Sequence, residues 1–167
     1  MLTQSRLKEL LSYDHETGIF IRISSPKSTN IGKTVGTIKN NGYIQILVDK
    51  KLYHAHRLAW LYIYGDFPIN QIDHINGIRN DNKISNLRLA TDSQNKQNRC
   101  IGSTNTSGFF GVDFSKSNGR YRARIRLNNK RIFLGYFGTV EEAGSAYHKA
   151  KRELHEFNPI QRGSESA

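Results

Sequence analysis

A single cysteine, Cys100, stands in this chain of 167 residues. One thiol excludes an intramolecular disulfide and any structural zinc site built on paired cysteines. The six histidines, at 15, 54, 56, 74, 148 and 155, do not make up the deficit, because none pairs with cysteine at a zinc-like spacing. Cys100 has no neighbouring histidine or basic run to activate it and reads as inert. The fold must rest on apolar cores, and a reducing cytoplasm is the compartment that fits. Long apolar runs are also missing: nothing approaches the roughly 20 residues of a spanning helix. The N-terminal MLTQSRLKELLSYD is amphipathic and carries acids, unlike a signal peptide. Acids themselves are scarce, 14 against 25 Lys and Arg, giving a net charge of +11 and a pI near 9.9. Such an excess costs stability through self-repulsion but attracts polyanions. Nucleic acid is the first candidate, and an anionic membrane surface is a weak second.

What is present divides into segments. Residues 3–11 read as a short helix with Leu7, Leu10 and Leu11 on one side. From 13 to 53 the text is strand-like, with runs at 19–23 and 43–48, the second introduced by Asn41-Gly42. Asp49-Lys50-Lys51 forms a second tight turn, making 43–55 a hairpin. HRLAWLYIYG, 56–65, is apolar nearly all round and ends in a glycine, as a buried helix does. Residues 72–75 and 87–90 read as strands separated by a polar loop that begins at Asn76-Gly77. Thr91 or Asp92 then caps a helix that carries Asn95, Lys96 and Arg99.

The segment IDHINGIRNDNKISNLRLATDSQNKQNR, 72–99, carries the chemistry. It sets Asp73 beside His74, with Asn86 twelve residues later and Asn95 nine beyond that. A carboxylate, an imidazole and two amides can hold one divalent metal beside one general base, the minimum for metal-assisted phosphodiester hydrolysis. Each residue alone has a bland explanation in a turn, a cap or a solvated helix face. The four together, in a strand–loop–strand–helix context, reverse those odds. Residues 43–99, with HRLAW before the motif and NKQNR after it, resemble the HNH nucleases of the phage and intron homing-endonuclease branch. The resemblance implies an α+β fold in which two strands and a helix surround one metal (the ββα-metal arrangement). It implies Asp73 and Asn95 as metal ligands, His74 as general base, Asn86 as the residue that holds the imidazole, and products with a 3′-hydroxyl and a 5′-phosphate. Hard oxygen donors suit Mg²⁺ or Mn²⁺, and no zinc is expected. Adjacent strand residues point to opposite faces, so the Asn76-Gly77 turn must bend the strand end for Asp73 and His74 to serve one phosphate. His54 and His56 read as structural or substrate-facing, one of them buried. His15, His148 and His155 read as surface residues.

A second pattern begins after CIGSTNTSG, 100–108, a linker by composition. Strands are expected at 109–114, 120–127 and 131–137, followed by a helix from Thr139 to about 156 with a Thr139/Glu142 capping box. Arg120, Arg122, Arg124 and Arg126 share one face of the middle strand, and Arg131 and Phe133 share one face of the next. The opposite faces would pack on the helix stripe Ala143, Ala146, Tyr147, Ala150 and Leu154. GRYRARIRLNNKRIFLGYFGTVEEAGSAYHKAKRELH resembles the AP2 DNA-binding domain. That resemblance implies a small three-stranded antiparallel sheet plus helix whose basic face enters the major groove of double-stranded DNA. The chain departs from the plant pattern at Phe110, Asp113, Arg124 and Phe133, so the plant target sequence does not carry over.

The expected domains are 1–99, a nuclease unit with its HNH core at 56–99, then the linker 100–108, the AP2-like domain 109–158 and a flexible tail 159–167. DNA contacts are expected from Arg120, Arg122, Arg124, Arg126, Arg131, Phe133, Lys96 and Arg99. The functional expectation is a site-specific DNA endonuclease in a bacterial or phage-infected cytoplasm, acting without an obligatory protein partner. One base and one metal imply one strand cut per event for a monomer, hence nicking or strand-by-strand cleavage. The competing expectation is a DNA-binding regulator with an inactive HNH domain.

Overall fold

The computed structural model describes residues 1–24, 30–97, 105–155 and 157, with the side chain of Lys96 outside that description. Arg99, Cys100, the first part of the expected linker and the expected tail lie outside the described residues. The chain divides into two compact units, Met1–Thr91 and Asp92–Ala167. No helix among the described residues is long and apolar enough to cross a membrane.

The first unit opens with helix α1 (Gln4–Leu10), capped by the Thr3 hydroxyl, which accepts from the Arg6 N–H. Leu11 leaves the helix in extended conformation and begins β1 (Leu11–Asp14), which pairs antiparallel with β2 (Ile19–Arg22). The short strand β3 (Thr37–Ile38), then β4 (Ile44–Val48) and β5 (Lys51–His54), form an antiparallel sheet in that order. Asp49 and Lys50, both at positive φ, make the two-residue turn that the hairpin twist requires. Helix α2 (Ala55–Tyr64) stops at Gly65, which adopts the left-handed conformation and donates to the Leu61 carbonyl. Its Leu58 and Ala59 are fully buried, whereas Ile63 and Tyr64 are exposed, so the helix is buried on one side and not all round. Strands β6 (Gln71–His74) and β7 (Leu87–Ala90) form the last hairpin, joined by a loop that ends in a 3-10 turn, Ile84–Asn86. Leu7, Leu11, Phe20, Ile46 and Leu58 centre one core, to which Ile72 and Leu87 from the last hairpin also belong. Residues distant in sequence thus fix the hairpin that carries the motif.

The second unit contains α3 (Asp92–Gln97), the sheet β8 (Val112–Ser115), β9 (Arg120–Leu127) and β10 (Lys130–Phe137), and helix α4 (Val140–Leu154). The sheet is antiparallel with β9 in the middle. Asn128 and Asn129, both at positive φ, close the β9–β10 turn, and the Thr139/Glu142 capping box is formed. Val112, Ala123, Ile125, Ala143, Tyr147 and Ala150 make the core. Leu154 was expected on that helix stripe but is 36% exposed. The unit boundary falls before α3, ahead of the composition change at 100; within this unit the Gln97 side chain accepts from the Phe157 N–H at 3.3 Å. Residues 105–108 of the expected linker belong to the fold. The Asn105 side chain donates to the Phe109 carbonyl, and the single Ser107 hydroxyl proton lies between the Val112 carbonyl at 2.8 Å and the Phe109 carbonyl at 3.0 Å, the usual way short polar side chains satisfy a turn. These bonds delay the first strand to residue 112. His155, expected at the surface, is buried and donates from Nε2 to the Arg126 carbonyl at 2.9 Å.

Candidate active site and candidate nucleic-acid face

The β6–β7 ladder sets Asp73 directly opposite Arg88 and His74 opposite Leu87. Both Nε and Nη2 of Arg88 donate to Asp73 Oδ2, at 2.9 and 2.8 Å. Asp73 and His74 are only 5% and 3% exposed, so this is an interior site. As the alternation of a strand requires, their side chains meet different neighbours. Asp73 meets Arg88, and His74 meets Asn82, Tyr43 and His56. The strand ends at His74, whose carbonyl accepts from the Gly77 N–H at 2.8 Å.

The imidazole of His74 is held by Asn82, whose Oδ1 lies 3.2 Å from Nε2. Asn82 Nδ2 donates to the Asn80 carbonyl, which turns the amide oxygen towards the ring. An amide oxygen only accepts, so Nε2 carries the proton and the lone pair of the neutral ring sits on Nδ1. Burial lowers the His74 pKa, opposed by the Asn82 bond and by the charges of Asp73 and Asp81. The ring is thereby kept in its neutral, proton-accepting form.

Asn86, expected on the imidazole, bonds the loop that carries Asn82. Its Oδ1 accepts from the Asn76 N–H, and its Nδ2 donates to Asn76 Oδ1 and to the Asp81 carbonyl, at 2.8–3.0 Å. Its own carbonyl accepts from the Ile75 N–H. One buried amide thus ties the start and the middle of the loop to its end beside β7. The N-terminal hairpin supports the same loop. The Tyr13 hydroxyl donates to the Asn82 carbonyl at 2.7 Å. Gly18, at φ +74°, leaves room where a Cβ would lie 2.6 Å from the Asn82 carbonyl carbon. Asn82 escapes a reading of the sequence because Asp81-Asn82 looks like one more polar loop dipeptide; only its burial, at 1% exposure, marks it.

Three aromatic side chains complete the surroundings of His74. Tyr43, His54 and His56 are mutual ring neighbours at 5.2–5.5 Å, and the edge of His56 meets His74 at 5.2 Å. Burial pushes His56 down to about 3, with the nearby His74 and His54 adding to the effect, so His56 is a neutral packing partner. Arg79 lies over Tyr43 at 5.3 Å and donates to the Asn41 carbonyl. The sequence placed one of His54 and His56 in the interior. Tyr43 gave no local signal, since tertiary packing brings it to the motif, and Arg79 is one polar loop residue among several until its contact with Tyr43 is seen.

Asp73 offers a hard carboxylate ligand, already oriented by Arg88, and no cluster of three His, Cys, Asp or Glu groups suited to a metal occurs among the described residues. This donor chemistry fits a hard divalent cation completed by amide, water and phosphate oxygens. Asn95 lies half-buried on α3 in the second unit.

The second unit presents the basic face. Arg120 and Arg126 are exposed at the ends of β9, with Arg122 and Arg124 half-buried between them. Across the sheet Arg131 stands opposite Arg126 and Phe133 opposite Arg124. A bulge between Phe133 and Gly135 then shifts the register by one residue, and Gly135, at φ +141°, accommodates it. The shift sets Tyr136 opposite Arg122 on the arginine face and sends Phe137 into the core. Phe133 and Tyr136 are 55% and 40% exposed with rings 5.1 Å apart. Without the bulge, strict alternation from Arg131 and Phe133 would place Tyr136 on the opposite face. The face is also less uniformly cationic than the arginine spacing suggests, because Asp113 on β8 pairs with both Arg122 and Arg124.

The chain is similar to several known proteins. A family model described as HNH endonuclease matches residues 53–97. The chain is 31% identical to Protein 3.8 of Escherichia phage T7 over 110 residues, covering 64% of this chain and 90% of that protein. It is 30% identical to an uncharacterized HNH endonuclease of Acanthamoeba polyphaga mimivirus over 139 residues, covering 82% of this chain and 71% of that protein. A solved structure of DNA binding and cleavage by the HNH homing endonuclease I-HmuI aligns with 92% of this chain and 94% of that one, at TM-score 0.43 and 20% identity. The family match covers both motif strands, and two relatives align over most of their own length: the chain belongs to the HNH endonucleases, a family of metal-dependent nucleases.

Proposed function

We propose that this chain is a site-specific DNA endonuclease that uses His74 as general base and one divalent cation, Mg²⁺ or Mn²⁺, and finds its target through the basic face of the second unit. The observation that carries the reading is the buried His74, oriented by Asn82 and adjacent to a carboxylate held by Arg88. Nδ1 of His74 takes a proton from water, and the resulting hydroxide attacks the scissile phosphorus. The Asn82 amide holds the Nε2 proton throughout, so the charge gained at Nδ1 is shared with a fixed acceptor. Asn86 keeps the loop, and with it Asn82, in register. Asp73 and Asn95 would hold the cation, which when bound stabilises negative charge on the phosphate and the leaving 3′ oxygen. The products are a 3′-hydroxyl and a 5′-phosphate.

The basic face supplies affinity and choice of site. Arg120, Arg126 and Arg131 contact phosphates; Arg122, Arg124 and the Phe133–Tyr136 pair meet the groove. Lys96 and Arg99, at the end of the HNH motif, add further contacts to DNA. A single base serves a single phosphodiester, so a monomer nicks, and a double-strand break needs a second event. Incubation with supercoiled plasmid tests this. Open circles should accumulate before linear DNA, requiring both a divalent cation and His74. Tight binding with no cleavage across Mg²⁺, Mn²⁺ and pH would replace the enzyme with a DNA-binding regulator.

A further inference from the structure

We propose that Asp113 is a specificity-determining residue: its carboxylate holds Arg122 and Arg124 away from phosphates and presents them to base edges. The proposal rests on the reading of this sheet face as the DNA contact. Asp113 lies opposite Arg122 in the β8–β9 register. Its two oxygens bridge the two arginines: Oδ2 accepts from Arg122 Nη2 at 2.6 Å, and Oδ1 accepts from Arg124 Nη2 at 2.8 Å and from Arg122 Nε at 3.4 Å. The Arg122 and Arg124 bonds hold the carboxyl below the usual carboxylate range, so the acid is charged wherever the protein binds DNA.

The triad is not buried. Its side chains are 40%, 31% and 33% exposed for Asp113, Arg122 and Arg124, which places an anion in the middle of a face otherwise made of cations and aromatics. An acid there weakens attraction to any polyanion, and the core does not need it, since the apolar cluster lies on the opposite side of the sheet. Its effect on recognition is selective. A phosphate that approaches these guanidiniums also meets the Asp113 charge and is repelled by it unless it displaces the carboxylate from its charge-assisted bonds. A guanine edge, with neutral O6 and N7 acceptors, can use the remaining N–H groups while the Asp113 bonds persist, because each guanidinium has five donors. The carboxylate can itself accept from cytosine N4. Tyr136 stands opposite Arg122 and Phe133 opposite Arg124 on the neighbouring strand. The arrangement lowers sequence-independent affinity more than specific affinity, which is how a partner is discriminated by penalising its competitors.

Full-length protein in chelator, to prevent cleavage, would be tested with Asp113→Asn, Asp113→Glu and the double variant Arg126→Gln/Arg131→Gln. The probes are a duplex library with a randomised centre and one fixed duplex of arbitrary sequence, each titrated over a range of salt. Asp113→Asn should bind the fixed duplex more tightly, with a log–log salt slope steeper by up to about 2 as two guanidiniums become available to phosphate. It should also relax the motif selected from the library at adjacent positions, and Asp113→Glu should restore both. An unchanged slope and motif would overturn the proposal. So would an equal loss of affinity for both probes, which marks a merely structural tie. If Arg126→Gln/Arg131→Gln also leaves binding untouched, the face itself is not the DNA contact, and the underlying reading falls with the proposal. If the double variant weakens binding but Asp113→Asn changes nothing, only the role given to Asp113 is lost.

Discussion

Asp73 with Arg88 and Asp113 with Arg122 are the same device in two places: an acid and an arginine directly opposite each other on neighbouring antiparallel strands. They differ in burial. The Asp73 and Arg88 side chains are 6% and 23% exposed, against 40% and 31% for Asp113 and Arg122. Removing one partner of a buried pair strands a charge in the interior and costs roughly 3–5 kcal/mol. A solvent-exposed pair contributes about 0–1 kcal/mol. The first pair is therefore architecture: it fixes one carboxylate within the active site. The second is cheap to break and is suited to exchange partners when a polyanion arrives.

The comparison can be broken at several points. The largest effect belongs to His74→Ala, which should lower the cleavage rate by about 10²–10⁴-fold, the usual worth of a general base. DNA affinity in chelator should stay unchanged, because the ring acts on water; a large loss of affinity would make His74 a binding residue. Next come the pairs themselves. Arg88→Met should cost roughly 3 kcal/mol in denaturant unfolding, and Asp113→Asn less than about 1 kcal/mol. Equal costs would remove the distinction between the two devices. Asn86→Ala should cost about 1–3 kcal/mol by leaving the Asn76 and Asp81 groups unpaired, and should slow cleavage by loosening the loop that carries Asn82. Arg126→Gln/Arg131→Gln should reduce the salt slope of binding by about 2 with little change in the rate of the bound complex, which single-turnover kinetics would check.

A further effect is one of pH, absent near neutrality and growing in acid. His56 is pushed down to about 3 by burial, whereas the unfolded chain titrates near 6.5. Below about pH 6.5 the unfolded state binds the extra proton, so this contribution to stability is complete above that value and is lost progressively as pH falls towards about 3. His56→Gln, which cannot charge, should flatten the acid limb of a stability–pH curve; an unchanged limb would show that other groups control it.

Much of this architecture was legible in the residues, and for identifiable reasons. The turns at Asp49-Lys50 and Asn128-Asn129, the stop at Gly65 and the Thr139/Glu142 box depend on a few adjacent residues, and the structure contains all four. What escaped depends on distance or on a one-residue irregularity. The bulge before Gly135 reversed the side on which Tyr136 lies, because alternation has no way to count an extra residue. Asp113 was visible as a departure from the AP2 pattern, but its two arginine partners follow only from the strand register. Tyr43 and Tyr13 come to the motif through tertiary packing, and Asn82, within it, is marked only by its burial and its bond to His74, so local sequence carries no trace of their meeting. The boundary before α3 was set by bonding within the second unit and not by composition.

The most direct test of the central claim is a map of new 3′ ends in DNA from the source replicon, after incubation with wild type or His74→Ala, with Mg²⁺ or Mn²⁺ and with chelator. Discrete ends on one strand, dependent on both the cation and His74, are the expected result. Ends that persist in His74→Ala, or their complete absence despite tight binding by the wild type, would contradict the assignment of His74 as the base of a DNA endonuclease.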